Sequence, residues 1–109
     1  MSKRETELLI ADIIESAEKI FQYTSGMTFE QFSEDEKTAD AVIRNFEIIG
    51  EAANRLPDEF KVLHSDIDWF KIRGFRNRIV HLYFGVDYEI LWQIKEVYVP
   101  EMIAKIKQL

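Results

Sequence analysis

The sequence predicts an all-α protein, an antiparallel bundle of four to five helices that forms a single domain over residues 1–109. Its 109 residues include only four Gly and two Pro, which favours helices with short connections over a sheet with many turns. Hydrophobic residues make up 47% of the chain, which is enough for one core at this length. Apolar residues also recur at helical spacing through three long segments.

The first half of the chain is predicted to hold two long helices. The first is expected over about residues 5–23, and four apolar residues form one face of it: Leu9, Ile13, Ala17 and Ile20. Residues 28–31 have the spacing of a capping box and predict a short turn. Residues 33–36 predict a second capping box, with Ser33 at the start of a long helix that ends near Leu56.

The second half of the chain is predicted to add a third and a last helix. The third begins near residues 65–68, and Gly74 either interrupts it or marks a close contact. Gly50, in the preceding helix, is small enough to let a neighbouring helix come close. Asp87 follows a break and is placed to cap the last helix, which Pro100 is expected to kink.

Composition excludes several classes of protein. There is no cysteine, so a disulfide scaffold, a zinc-thiolate site and thiol catalysis are excluded. The two histidines, His64 and His81, are far apart in the sequence, so we expect no metal site and no cofactor. We expect no signal peptide and no membrane span, since no apolar run approaches about 20 residues. A cytoplasmic location is therefore expected.

The charge of the chain is unevenly distributed. The net charge is -6, which argues against nucleic-acid binding over the whole surface. Residues 69–86, however, contain no acidic residue and hold four of the fourteen basic ones: Lys71, Arg73, Arg76 and Arg78. We expect Lys71, Arg73 and Arg78 to contact RNA phosphates, with a solvated cationic face as the alternative.

The same window carries the side chains that a metal-free cleavage of RNA would use. His81 can accept or donate a proton near neutral pH, and the Arg76 guanidinium matches phosphate oxygens. Asn77 can orient either group, and the ribose 2′-hydroxyl supplies the nucleophile. On an ideal helix, Arg76 and His81 would lie roughly 140° apart. Either Arg76 leans round, or the helix loosens after Gly74, or two copies pool their residues at a two-fold axis.

A resemblance to a known family rests on these residues. The pattern Arg76-x4-His81-x-Tyr83 resembles the R-x4-H-x-Y signature of the HepT-like toxins, within the HEPN superfamily of helical nucleic-acid-cleaving domains. The segment of residues 43–53, which contains Glu47 and Glu51, is similar to the second-helix segment of that family. Four further positions carry similar residues: Trp69, Gly74, Asp87 and Trp92. The resemblance covers nearly the whole chain.

The resemblance implies a specific biology. It implies a HEPN-like domain that forms a homodimer through the motif helices, with Arg76 and His81 of both copies lining one cleft. It implies a metal-independent ribonuclease, the toxin of a type VII toxin–antitoxin system. The antitoxin would be an MntA-type minimal nucleotidyltransferase that transfers AMP from ATP to Tyr83. Added anionic groups beside a basic cleft would block the entry of RNA.

Other interpretations of these residues remain open. Arg76 could form a structural ion pair with Glu47 or Glu51, and His81 could be a buried histidine bound to a backbone carbonyl. Four aromatic residues are expected in the core or in a dimer interface, with base-stacking platforms as the less favoured alternative: Trp69, Phe70, Trp92 and Tyr98. Phe75 is expected to be an ordinary spacer. The alternative function is a non-catalytic subunit that binds a substrate or a nucleotide for a nucleotidyltransferase.

Overall fold

The computed structural model of the chain describes residues 1–81 and 85–109, with His81 described by its backbone alone. Its two longest elements are α1 (Lys3–Thr24) and α3 (Glu36–Arg55), which pack against each other in antiparallel fashion. The Ser2 hydroxyl caps α1 by accepting a hydrogen bond from the Glu5 N–H at 3.1 Å. The predicted first helix and the all-α fold class are confirmed.

The connection between α1 and α3 contains one of the two predicted capping boxes. At the second predicted position a different residue caps the helix. Helix α2 (Phe29–Ser33) begins with the expected box, in which Thr28 and Gln31 exchange hydrogen bonds of 3.1 and 3.0 Å. The prediction that Ser33 opens the long helix is wrong, because Ser33 is the last residue of α2. Its hydroxyl donates to the Glu30 carbonyl within that helix. Asp35 caps α3 instead, and its carboxylate accepts the Thr38 N–H at 3.0 Å.

The cap hydrogen bonds also set the acidity of Asp35. The Thr38 backbone N–H, followed by the Thr38 hydroxyl, lowers the pKa of the Asp35 carboxyl below its usual value. Burial opposes this shift, and the nearby Lys37 adds a smaller lowering of the pKa. The N-terminus of α3 is therefore held by a carboxylate in its charged form.

The predicted third helix is broken into short pieces. After α4 (Asp58–Leu63) come α5 (Trp69–Arg73) and α6 (Phe75–Ile79), which are separated at Gly74. The helical conformation ends at Ile79, because Val80–His81 (β1) pairs antiparallel with Gly85–Val86 (β2). A continuous helix through residue 81 is therefore not formed. The helix is interrupted at Gly74 and ends at Ile79, which agrees with the option that it loosens after Gly74.

The last helical segment is also irregular. Asp87 caps α7 (Tyr88–Gln93) as predicted, by accepting the Ile90 N–H at 3.0 Å. A π-helical turn (Ile94–Tyr98) then leads into α8 (Val99–Ile106). In this turn the Val99 N–H donates to the Ile94 carbonyl, five residues back. Pro100 follows at once, and its missing N–H and bulky ring explain why the regular pattern is interrupted here.

The core lies where α1, α3 and α8 meet and extends to α5 and α6. Its largest fully buried side chains come from most of the helices: Ile13, Ile20, Phe32, Phe46, Ile49, Phe75, Ile79, Leu91, Ile94 and Ile106. Burial of this apolar surface is the main stabilising contribution, since the shorter helices are too brief to be stable alone. Within residues 1–81 and 85–109, no helix is both long and apolar enough to cross a membrane.

Candidate functional site

A groove of about 520 Å³ runs between α3, α5 and α6. One of its lining residues, Gly50 of α3, faces the backbone of α5 without a side chain. A Cβ atom at Gly50 would lie 3.2 Å from the Arg73 carbonyl oxygen, which is tighter than ordinary packing. The expected close approach at Gly50 is therefore present. Among the residues that line the groove are Arg76 and Asn77, two of the predicted catalytic residues.

Arg76 is held at the side of the groove by an acidic residue of α3. Its Nε atom donates to the Glu47 Oε1 atom at 3.2 Å, and the other Glu47 oxygen lies 3.6 Å from an Nη atom of Arg44. The ion pair left open from the sequence is thus formed. Both side chains of the Arg76–Glu47 pair are more than a third exposed, so the pair contributes less than about 1 kcal/mol to stability. Glu47 engages Nε, and the terminal Nη groups of Arg76 make no hydrogen bond with any described residue.

Arg73 adds a second cation to the same groove. Its Nη1 atom donates to the Asn54 side-chain oxygen at 3.2 Å, which ties α5 to the C-terminal part of α3. The Arg73 guanidinium also lies 5.3 Å from the centre of the Phe70 ring. Phe70 and Asn54 both line the groove. The structure therefore brings Arg73, Arg76 and Asn77 together.

The other two predicted RNA-binding cations lie elsewhere. The Lys71 Nζ atom is 3.4 Å from the centre of the Tyr98 ring, and the Arg78 guanidinium is 5.7 Å from it. Lys71 lines a second groove of about 260 Å³, together with Asp68 and Tyr98. The basic window is therefore divided between two surfaces, and only Arg73 shares the groove of Arg76.

The remaining predicted site residues are described in part or not at all. The backbone of His81 lies in β1, two residues after α6 ends, and pairs with Gly85. Gly85 has a φ of 76°, a left-handed conformation that glycine adopts without strain. The His81 side chain and the whole of Tyr83 lie outside the described residues. The ideal-helix angle between Arg76 and His81 no longer applies, because the two residues belong to different elements.

Two residues that position the site were missed or misjudged from the sequence. Phe75 is not a simple spacer: it is 1% exposed, and its ring meets that of Phe46 edge to face at 5.8 Å. The spacing of Ile72, Phe75 and Ile79 could have indicated a buried face. The role of Asn54 in holding Arg73 had no local signal, since the two are nineteen positions apart.

The four aromatic residues expected in the core or an interface separate into different environments. Trp69 is buried and donates its indole N–H to the His64 carbonyl at 3.1 Å, while Trp92 packs against Phe32. Phe70, in contrast, is 78% exposed, so its placement in the core is wrong, while its placement in a dimer interface stays a prediction. Over the residues that the structure describes, no three His, Asp or Glu side chains come together as a metal site would require.

Comparison with known proteins gives one consistent family. Residues 13–109 match the family described as "Ribonuclease HepT-like". The "Probable ribonuclease HepT" of Thermococcus cleftensis is 40% identical over 107 residues, which cover 98% of this chain and 97% of that protein. A "Putative RNase" of Methanocaldococcus jannaschii is 38% identical over 109 residues, which cover 100% of this chain and 90% of that protein. No solved structure gives a significant match.

Proposed function

This chain belongs to the HepT-like ribonuclease family, and we propose that it is a metal-independent endoribonuclease whose reaction site contains Arg76, Asn77 and His81. The observation that carries the proposal is the groove itself. It places Arg76 and Asn77 beside Arg73, and the Nη groups of Arg76 make no hydrogen bond within the described part of the chain. A guanidinium in this state can receive two oxygens of a phosphate.

The proposed reaction is an attack of the ribose 2′-hydroxyl on the adjacent phosphorus. His81 removes the hydroxyl proton, and the bond from phosphorus to the 5′-oxygen of the next nucleotide breaks. Arg76 stabilises the negative charge that develops on the phosphorane-like transition state, and Asn77 orients the reacting groups. The protonated His81 then gives this proton to the departing 5′-oxygen, so the products are a 2′,3′-cyclic phosphate and a 5′-hydroxyl.

We place this site at the interface of a homodimer. Arg76, Asn77 and Arg78 are all exposed on α6, so a two-fold axis beside this helix would bring two sets of them together. The acidic exterior of the chain would then repel RNA except at that cleft. Sedimentation velocity of the purified chain tests the assembly, and a species of monomer mass at micromolar concentration would contradict it.

The biological role we propose is that of a toxin in a toxin–antitoxin pair, acting in the cytoplasm. An MntA-type nucleotidyltransferase would neutralise it through Tyr83. In that step the phenol oxygen attacks the α-phosphorus of ATP, the bond to the β-phosphate breaks, and pyrophosphate leaves while the phenol proton is released. The AMP group would add negative charge to the basic segment of residues 69–86 and exclude RNA.

The central experiment measures cleavage of an unstructured RNA by the full chain in the presence of EDTA. We expect His81→Ala to lower the rate roughly 10²- to 10⁴-fold and Arg76→Ala to lower it roughly 10²- to 10³-fold. His64→Ala is the matched control, because His64 meets the ring of Phe60 away from the groove. Products should carry a 2′,3′-cyclic phosphate. Unchanged activity of His81→Ala would contradict the role of His81, and activity lost in EDTA would contradict metal independence.

A second experiment tests the modification. The chain is incubated with ATP and an MntA-type nucleotidyltransferase, and its intact mass is measured. We expect a gain of AMP groups that disappears in Tyr83→Phe and persists in Tyr23→Phe, a control at an exposed tyrosine outside the motif. A gain that persists in Tyr83→Phe would place the modification elsewhere.

The alternative is a non-catalytic subunit that holds a nucleotide for a transferase. The Arg76–Glu47 ion pair is the observation in its favour, since it gives Arg76 a structural partner. Expression of the chain without its partner distinguishes the two. Growth arrest relieved by either Arg76→Ala or His81→Ala supports the ribonuclease, whereas growth without arrest and no cleavage in vitro supports the binding subunit.

A further inference from the structure

Phe70 is an unusual residue for its position. It lies in α5 between two side chains that enter the core, Trp69 and Ile72, yet it is itself 78% exposed. Leu63 in α4 is exposed to the same extent, but it does not line the groove, whereas Phe70 does. A large aromatic surface is therefore presented to solvent at the edge of the groove that holds Arg76.

The surroundings of Phe70 add a cation to this aromatic surface. The guanidinium of Arg73 lies 5.3 Å from the ring centre and also donates a hydrogen bond to the Asn54 side chain. Arg76 lines the same groove. The wall of the groove thus combines one flat apolar face with two groups that bind phosphate. A nucleotide has the matching chemistry, because it joins a flat base to an anionic phosphate.

Because the charges that line the groove balance, the aromatic face would supply a larger share of the affinity for RNA. Glu47 and Glu51 line the groove together with Arg73 and Arg76, so the formal charges of these four side chains cancel. Attraction of the phosphates alone would hold RNA weakly at such a surface. Stacking on an aromatic ring is insensitive to this balance, because it depends on contact between flat apolar faces.

We propose that Phe70 is a base-stacking platform, which positions a single-stranded RNA so that the phosphate next to the stacked base lies between Arg73 and Arg76. This inference rests on the ribonuclease function proposed above and specifies its substrate as single-stranded RNA. The bases of a duplex are already stacked on their neighbours and cannot also cover Phe70.

The test measures the binding of a fluorescent oligonucleotide with 2′-O-methyl groups on every ribose, which has no free 2′-hydroxyl and cannot be cleaved. We expect Phe70→Ala to weaken binding roughly 5- to 100-fold. Phe70→Trp should bind as the parent chain does, and its indole fluorescence should be quenched by the stacked base. Leu63→Ala, the matched control, should bind within twofold. A duplex of the same sequence should bind far more weakly than the single strand.

Further measurements separate stacking from other roles of Phe70. Phe70→Leu keeps an apolar side chain but loses the flat ring, so binding should fall as in Phe70→Ala. An oligonucleotide of abasic sites should bind the parent chain and Phe70→Ala equally. The proposal is overturned if Phe70→Ala binds RNA normally, or if Phe70→Ala alters only the sedimentation of the chain, which would assign Phe70 to a contact between copies.

A failed stacking site and a failed ribonuclease function give different results. A parent chain that neither binds nor cleaves RNA overturns both. A parent chain that cleaves RNA while Phe70→Ala cleaves it with the same KM and kcat overturns the stacking site alone. Because Phe70 binds a base and does not touch the reacting atoms, KM should rise more than kcat falls in Phe70→Ala.

Discussion

Replacing Phe75 by Ala should release the short helix that carries Arg76 and Asn77. Helix α6 has five residues and no side-chain cap at its N-terminus, so it cannot be stable without tertiary contacts. Two side chains, Phe75 and Ile79, bury it against the core. The ring of Phe75 meets that of Phe46 on α3 at 5.8 Å and 83°, an edge-to-face contact.

The size of the effect follows from this burial. Phe75 is 1% exposed, so its truncation removes a fully buried ring and leaves a cavity, at a cost of about 3–5 kcal/mol in the free energy of unfolding. That is a large fraction of the roughly 5–15 kcal/mol that stabilises a typical domain. The melting temperature should fall by about 4 °C for each kcal/mol lost. RNA cleavage should fall at temperatures where the parent chain is still folded, since α6 is released first.

Phe70→Ala is the matched comparison, because it removes the same ring five positions earlier on the neighbouring helix. Phe70 is 78% exposed, so its loss should change the free energy of unfolding by less than about 1 kcal/mol. Urea denaturation of both variants, followed by circular dichroism at equal protein concentration, measures the difference. If the two variants differ by less than about 1 kcal/mol, Phe75 does not anchor α6 to the core.

Three further changes test other parts of the structure. Gly50→Val forces two methyl groups against the Arg73 carbonyl and should cost at least about 1–3 kcal/mol in urea denaturation, whereas Gly74→Ala, where a Cβ meets only ordinary contacts, should cost less. Arg73→Ala should reduce the salt dependence of RNA binding by about one counterion; an equal reduction in Lys71→Ala would extend the RNA-binding surface to Tyr98. Asp35 has a lowered pKa in the folded chain, so its stabilising contribution is present above the unfolded pKa of about 3.9 and is lost as the pH falls through the folded value. The difference in stability between the parent chain and Asp35→Ala should therefore shrink below about pH 4, and a difference that stays constant down to pH 2 would contradict the cap.

Local signals were sufficient for much of the fold. The Thr28–Gln31 box and the Asp87 cap depend on hydrogen bonds between residues three positions apart, so the sequence order alone predicts them. The same type of signal failed at Ser33, because two acceptable caps stood two positions apart and the preceding helix had already engaged the Ser33 hydroxyl. Competition between neighbouring elements decides such cases.

Some features of the candidate site could be predicted from local sequence, and others depend on contacts between distant residues. The residue types of the window predicted phosphate chemistry at Arg76 and Asn77, and both line the groove. Nothing local could show that Arg73 turns towards Asn54 while Lys71 turns towards Tyr98, because those partners belong to distant elements. Local sequence also does not show that Phe70 is exposed, because Phe70 is as hydrophobic as a core residue but lies on the surface.

The sequence by itself determined the all-α class, the principal helices and the chemistry available at Arg76 and Asn77, because periodicity, caps and residue type act over a few positions. Tertiary structure decided where the helix ends after Ile79, which cations share a groove and which aromatic ring stays in solvent. These outcomes depend on the packing of α3 against α5 and α6, in which the missing side chain of Gly50 allows the two backbones to approach. Contacts between residues so far apart in the chain exist only once the chain has folded.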